Sequence, residues 1–166
     1  MIVFDASTLI LLAKIGLLEL FISTFQRRVA IPRKVKSEVC VQGEAERPLV
    51  ENLIKQGKIE ILTAKNPRQK RKLMADFNID EGEAEALLLS IQIGAEAIAT
   101  DDRNAIRASK LLKIDFITAI GFLVRAYEKQ LVDRDEALTK LQSLQAVSRY
   151  SNIILKDAKN RIEGGE

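Results

Sequence analysis

Short apolar runs and longer stretches of helical periodicity alternate along this chain. The runs 1–4, 28–31, 59–62, 97–99 and 116–117 are bounded by polar or turn residues, which predicts buried strands. Ser7 or Thr8 can cap a helix whose apolar residues continue through Leu12, and Gly16 separates it from a second piece over 17–25. Pro32 is expected in the first turn of a helix reaching about residue 41. A further helix spans roughly 44–56 and ends at Gly57; Pro48 is tolerated there only in the first turn, which moves the start later than Glu44. Helices follow over 67–77, over 83–93 with Gly94 as the stop, and from Asp101-Asp102 to about Leu112. The chain closes with helices over about 119–129, 134–145 and 152–161 and a frayed end at 164–166.

Strands alternating with helices predict a parallel sheet covered by helices on both faces. In such sheets, sites form beyond the carboxyl ends of the strands. No internal repeat, linker or low-complexity segment interrupts the pattern. The 166 residues read as one domain, large enough to bury a core without staples.

Composition narrows the chemistry. There is no histidine, so Ser-His-Asp triads, zincin helices and imidazole acid–base catalysis are excluded. Catalysis has to run on carboxylates, hydroxyls, lysines or a bound metal. The single cysteine, Cys40, excludes an internal disulfide, and with no partner base it reads as a small buried apolar residue. A reducing, cytoplasmic setting is expected. Lys14 and Glu19 break the apolar run near the start well short of a membrane span, so no membrane association is expected. A net charge of +3 permits a polyanionic partner.

The candidate chemistry lies in acids at wide spacing. Asp5 ends the first apolar run, with Ser7 two positions on; Glu38, Glu83 and the pair Asp101-Asp102 follow. A carboxylate closing a buried strand is costly unless compensated. Several converging on one place repel one another unless a divalent cation lies between them. Each acid also has an ordinary role open to it. Asp5 can cap the first helix, Glu38 can be a solvated charge, and one of Asp101 and Asp102 can cap the helix they precede. Asp80 or Glu81 suits the positive end of the following helix. Glu81 and Glu85 can replace Glu83 if that helix is rotated. Ser7 can cap a helix while bonding to Asp5.

Segments Val3-Phe4-Asp5-Ala6-Ser7, Ile31-Pro32 with Val35 and Glu38, Gly82-Glu83-Ala84-Glu85-Ala86, Ala99-Thr100-Asp101-Asp102 and Thr118-Ala119-Ile120-Gly121 stand in order. In these the chain resembles the PIN domain family, which includes the VapC toxins of prokaryotic toxin–antitoxin pairs. The Gly-Glu-Ala-Glu-Ala stretch resembles a less-studied branch. The likeness runs from residue 2 to about 144 and implies a PIN domain over 1–150, with 151–166 as a helical extension of the same domain. It implies a three-layer α/β/α fold with a central parallel sheet of about four to five strands. It also implies that Asp5, Glu38, Glu83, Asp102 and Asp101 are catalytic, that Asp5, Glu83, Asp101 and Asp102 are metal ligands, and that Ser7 supports them. Both of the last two acids are expected to face the pocket, with Asp102 slightly preferred because it matches the family's Thr-x-Asp pattern, and Asp101 able to serve instead in the branch with two acids.

Hard oxygen ligands without histidine or a cysteine cluster select Mg²⁺ or Mn²⁺. The implied activity is metal-dependent endoribonucleolytic hydrolysis of single-stranded RNA, with a small antitoxin protein and a homodimer as further implications. The alternatives are an RNA-processing PIN nuclease outside such a pair, and a non-catalytic acidic-pocket module that binds RNA or protein. Candidate RNA contacts are Arg68, Lys70 and Arg71 in the run that begins at Lys65, Arg107 with Asn104, and Arg27-Arg28.

Overall fold

In the computed structural model, which describes residues 1–24 and 26–164, five parallel strands form one sheet in the order β3-β2-β1-β4-β5. The strands are β1 (Ile2–Phe4), β2 (Val29–Pro32), β3 (Ile59–Leu62), β4 (Ala97–Ala99) and β5 (Phe116–Ile117). The helices are α1 (Ala6–Lys14), α2 (Leu18–Thr24), α3 (Arg33–Val39), α4 (Arg47–Lys55), α5 (Pro67–Phe77), α6 (Glu81–Ile93), α7 (Arg103–Leu111), α8 (Ala119–Glu128), α9 (Arg134–Val147) and α10 (Asn152–Glu163). The expected helix end at Phe25 and the frayed end at 165–166 lie outside the described residues.

Strand alternation builds the three layers. Ile2, Phe4, Val29, Ile31, Ala97 and Ala99 face one core, which α1–α4 and α8–α10 fill. Val3 and Ile98 face the other, filled from α5, α6 and α7. Phe4 of β1 stacks on Phe122 of α8 at 5.5 Å between centroids, and Phe21 of α2 meets Phe122 edge-on at 4.5 Å. Among the described residues no single helix is long and apolar enough to cross a membrane; α1 and α2 meet at 103° and bury Leu9, Leu12, Leu18 and Phe21. The buried residues of α10, Leu155, Ala158 and Ile162, belong to the same core as β1.

Local chemistry moves several boundaries. Asp5, not Ser7 or Thr8, caps α1, accepting from the Ala6 N–H, and both hydroxyl residues fall inside the first turn. Pro32 closes β2, paired with Leu62, and caps α3 from outside instead of lying in its first turn. Helix α4 starts at Arg47, with Pro48 in its first turn. Helix α6 starts two residues before Glu83, because Asp80 accepts from the Glu83 N–H and the Glu83 carboxylate accepts from the Asp80 N–H, a reciprocal capping box. Gly94 ends it at φ 58°.

The strand order also fixes where a site can form. The chain builds outward from β1 through β2 to β3, then returns to lay β4 on the other side of β1. The loops after β1 and β4 therefore diverge, leaving a crevice at the carboxyl edge of the sheet.

Candidate active site

Asp5 leaves β1 at that crevice and is only 3 % exposed. Its Oδ1 accepts from the Ala6 N–H at 2.7 Å; its Oδ2 accepts from the hydroxyls of Ser7 at 2.7 Å and Thr100 at 3.0 Å. Burial nevertheless holds its carboxyl above the usual range, the Ser7, Thr100 and Ala6 bonds opposing and the charge of Asp80 adding to the effect. Asp5 is thus both a helix cap and the floor of an acid cluster.

Helix α3 packs against α6 and brings Glu38 to the same crevice. Burial, then the charges of Asp80 and Asp5, raise Glu38 to about 7. Its carboxylate lies against the backbone of Gly82: a Cβ there would stand 2.5 Å from Oε2 and 2.8 Å from Oε1. Only a residue without a side chain allows so close an approach, which gives the glycine of the Gly-Glu-Ala-Glu-Ala stretch a physical reason.

Glu83, on the first turn of α6, is raised to about 7 by burial first and by Asp102, Asp80 and Asp5, against the bond from the Asp80 backbone. Glu81 and Glu85 turn elsewhere. Both accept from Lys70 of α5, at 2.6 and 3.1 Å; Glu81 also lies 3.6 Å from Lys34, and Glu85 accepts from the Lys34 backbone. The capping box sets the rotation of α6 that puts Glu83 under the charges of Asp5 and Asp102, while Glu81, held by Lys70, reaches the cluster only as the least of the charges acting on Glu38.

Asp101 and Asp102 separate in role. Asp102 caps α7, its Oδ1 accepting from the Ala105 N–H at 2.8 Å, and its charge acts on Glu83. The Asp101 carboxylate is spoken for. It accepts from Thr8 at 2.5 Å, from the Tyr150 hydroxyl, and from the Ala119 N–H at 3.0 Å. Burial raises its carboxyl, and the Thr8, Tyr150 and Ala119 bonds oppose this. The Tyr150 phenol is pushed far up by burial and by the Asp101 charge, so it remains a donor. The structure brings Asp5, Glu38, Glu83 and Asp102 together electrostatically; the Asp101 carboxylate instead bonds to Thr8, Ala119 and Tyr150.

Asp80 joins the cluster unforeseen. It raises Glu38, Glu83 and Asp5, and its position before a helical run is the only sequence signal for it. Tyr150 has no sequence signal at all, because its partner lies 49 residues away.

The basic residues divide. Arg68, Arg71 and Arg107 are exposed. Lys70 is not available in the same way, being held by Glu81 and Glu85. Asn104 donates to the Asn78 carbonyl at 2.9 Å, and Arg27 and Arg28 pair with Glu96 and Glu60. Arg27 and Arg28 precede β2 and so lie at the amino edge of the sheet, across the molecule from the acids.

The donors are oxygen only, which fits Mg²⁺ or Mn²⁺. As placed, no three acidic or cysteine side chains among the described residues are close enough to hold one ion. Asp5, Glu83 and Asp102 each spend an oxygen on a backbone N–H, and uncompensated charges hold apart. The chemistry of the set fits a divalent cation; binding one requires the side chains to close further.

The family model described as DUF3368, PIN domain, matches residues 1–162. No curated protein and no solved structure matches the chain. PIN domains typically use divalent metal ions. A parallel five-stranded sheet with acids gathered at its carboxyl-edge crevice agrees with that match over nearly the whole length, and the chain belongs to the PIN domain family, whose members are generally nucleases.

Proposed function

We propose that this chain is a metal-dependent endoribonuclease that hydrolyses phosphodiester bonds in single-stranded RNA, and that it is the toxin of a toxin–antitoxin pair, restrained by a small antitoxin protein. The observation that carries the nuclease reading is the mutual charge of Asp5, Glu38, Glu83 and Asp102, brought from four elements to the switch point of the sheet. Crowding acids this way costs folding energy, which a cation would return on binding.

Asp5, Glu38, Glu83 and Asp102 would hold Mg²⁺ or Mn²⁺, and Asp101 would position them. When bound, such an ion makes water a better nucleophile at neutral pH and stabilises charge on a phosphoryl group. The remaining work belongs to the chain. Three donors fix Asp5, so its carboxylate spends no entropy in finding its place. Glu38 and Glu83 lie among the same acids, so either can orient a water through a carboxylate oxygen. Hydrolysis then forms a bond from the water oxygen to phosphorus and breaks the bond from phosphorus to one ribose oxygen, which ends protonated. The exposed Arg68 and Arg71 are suited to the RNA backbone.

The test is cleavage of single-stranded RNA by wild type and Asp5→Asn, with Mg²⁺, Mn²⁺ or EDTA. Wild type is expected to cut only with metal and Asp5→Asn not to cut. Undiminished cutting in EDTA overturns the mechanism. For the toxin reading, expression alone should arrest growth and the co-expressed neighbouring small protein should restore it; unimpeded growth at high levels of active enzyme refutes that part.

A further inference from the structure

We propose that Tyr150 is a positioning residue of the acid cluster: its hydroxyl clamps Asp101, and the clamped 100–102 segment holds the partners of Asp5. The inference rests on the nuclease reading of that cluster and adds to it a residue from the far end of the chain.

The argument begins with a proton. The Tyr150 oxygen accepts from the Ile120 N–H at 3.1 Å, so the hydroxyl proton is directed to its other neighbour, Asp101 Oδ1. Asp101 also accepts from the Ala119 N–H and from Thr8. The first backbone N–H groups of α8 are thereby satisfied by Asp101, Tyr150 and the Thr118 hydroxyl, which accepts from Gly121 at 3.3 Å. A carboxylate at a helix N-terminus is favoured by the helix dipole as well. One side chain therefore ties together the end of β4, helix α1, helix α8 and the segment between α9 and α10.

From Asp101 the connection reaches Asp5 in two bonds. The Asp101 N–H donates to the Ser7 oxygen at 3.0 Å, which directs the Ser7 proton to Asp5 Oδ2 at 2.7 Å. Thr100, the residue before, supplies the other hydroxyl on that oxygen, and the Asp102 N–H donates back to Thr100 at 3.3 Å. Asp102, the residue after, caps α7. Residues 100, 101 and 102 thus place two of the acids, and Tyr150 holds the middle one. Outer partners of metal-ligating groups commonly matter nearly as much as the ligands themselves.

The test uses the full chain and three variants. Tyr150→Phe keeps the ring and deletes the hydroxyl. Thr8→Val deletes the other hydroxyl on Asp101. Leu155→Ala removes a buried contact of α10 without touching the network. Binding is read from the electron paramagnetic resonance signal of free Mn²⁺ during titration, and exchange of the Asp101 and Ile120 amides is followed without metal. Tyr150→Phe should raise half-saturating Mn²⁺ on the order of tenfold and speed exchange at both amides, with Thr8→Val shifting Mn²⁺ in the same direction. Leu155→Ala should melt lower yet bind Mn²⁺ as wild type does. Wild-type Mn²⁺ binding by Tyr150→Phe overturns the inference and leaves the nuclease reading standing. So does a Leu155→Ala protein that loses Mn²⁺ as severely, because the effect is then mere destabilisation. A wild type that neither binds Mn²⁺ nor cuts RNA overturns both.

Discussion

Gly82→Ala should separate stability from activity in opposite directions. In a helix, alanine is favoured over glycine by about 0.5–1 kcal/mol, and at this first-turn position the gain is at most that. The three atoms nearest the added methyl all belong to the end of a flexible side chain, Glu38, whose Oε2 would lie 2.5 Å away. Bringing that oxygen to the 3.4 Å of ordinary contact takes a shift of about 0.9 Å, which rotation of Glu38 supplies without moving a helix. The fold is therefore expected to melt at or slightly above the wild-type temperature. A displacement of about 1 Å in a reacting group costs on the order of a hundredfold in rate, so RNA cleavage should fall by about that factor. Parallel melts and cleavage rates, in EDTA and in Mn²⁺, measure both. Glu38→Gln supplies the double-mutant cycle: combined with Gly82→Ala it should cost little more than either alone, since both act through one carboxylate. Wild-type cleavage by Gly82→Ala refutes the argument, as does a large loss of stability, which would mean that backbone and not Glu38 gives way.

Glu38 and Glu83 predict an unusual pH dependence of the metal-free protein. Their native values near 7 lie above 4.5, so between those limits the native state binds protons that the unfolded chain has released, and stability falls as pH rises. After allowing for solvent screening, the loss from pH 5 to pH 8 should be about 1–2 kcal/mol, read from melts in EDTA; a melting temperature that climbs over that range refutes it. The basic residues of α5 should split. Arg68→Ala and Arg71→Ala should each lower the salt dependence of RNA binding by about 0.7 in the log–log slope, whereas Lys70→Met should leave the slope unchanged and lower stability at low salt. An equal slope change for Lys70→Met shows that its pairing with Glu81 and Glu85 breaks when RNA binds.

Legibility followed the range of the interaction. Asp5 is readable because an acid directly after an apolar run has few ordinary roles, and the alternation of strand and helix carried the layers. Pro48 correctly delayed the start of α4, since its ring forbids any later helical position. Ambiguity arose where neighbours compete for one job. Glu81, Glu83 and Glu85 are equivalent by composition, and only the capping box with Asp80 and the pull of Lys70 distinguish them. Asp101 and Asp102 are likewise adjacent, and the distinction lies in Thr8 and Tyr150. Ser7 resembled a cap because serine commonly is one; Asp5 took that position and left Ser7 as its donor. Gly82 carried its information in what it lacks, visible once Glu38 lies against it.

The placement of β1 between β2 and β4 sets an order of events during synthesis. Asp5 is made before its buried partner Thr100, which comes 95 residues later. At about 5–20 residues per second, that interval is on the order of 5–20 s, during which the aspartate has no completed pocket. Tyr150 follows later still. A nascent chain of this architecture, if it cuts RNA, remains harmless to the messenger and ribosome producing it until the segments carrying Thr100 and Tyr150 have been translated.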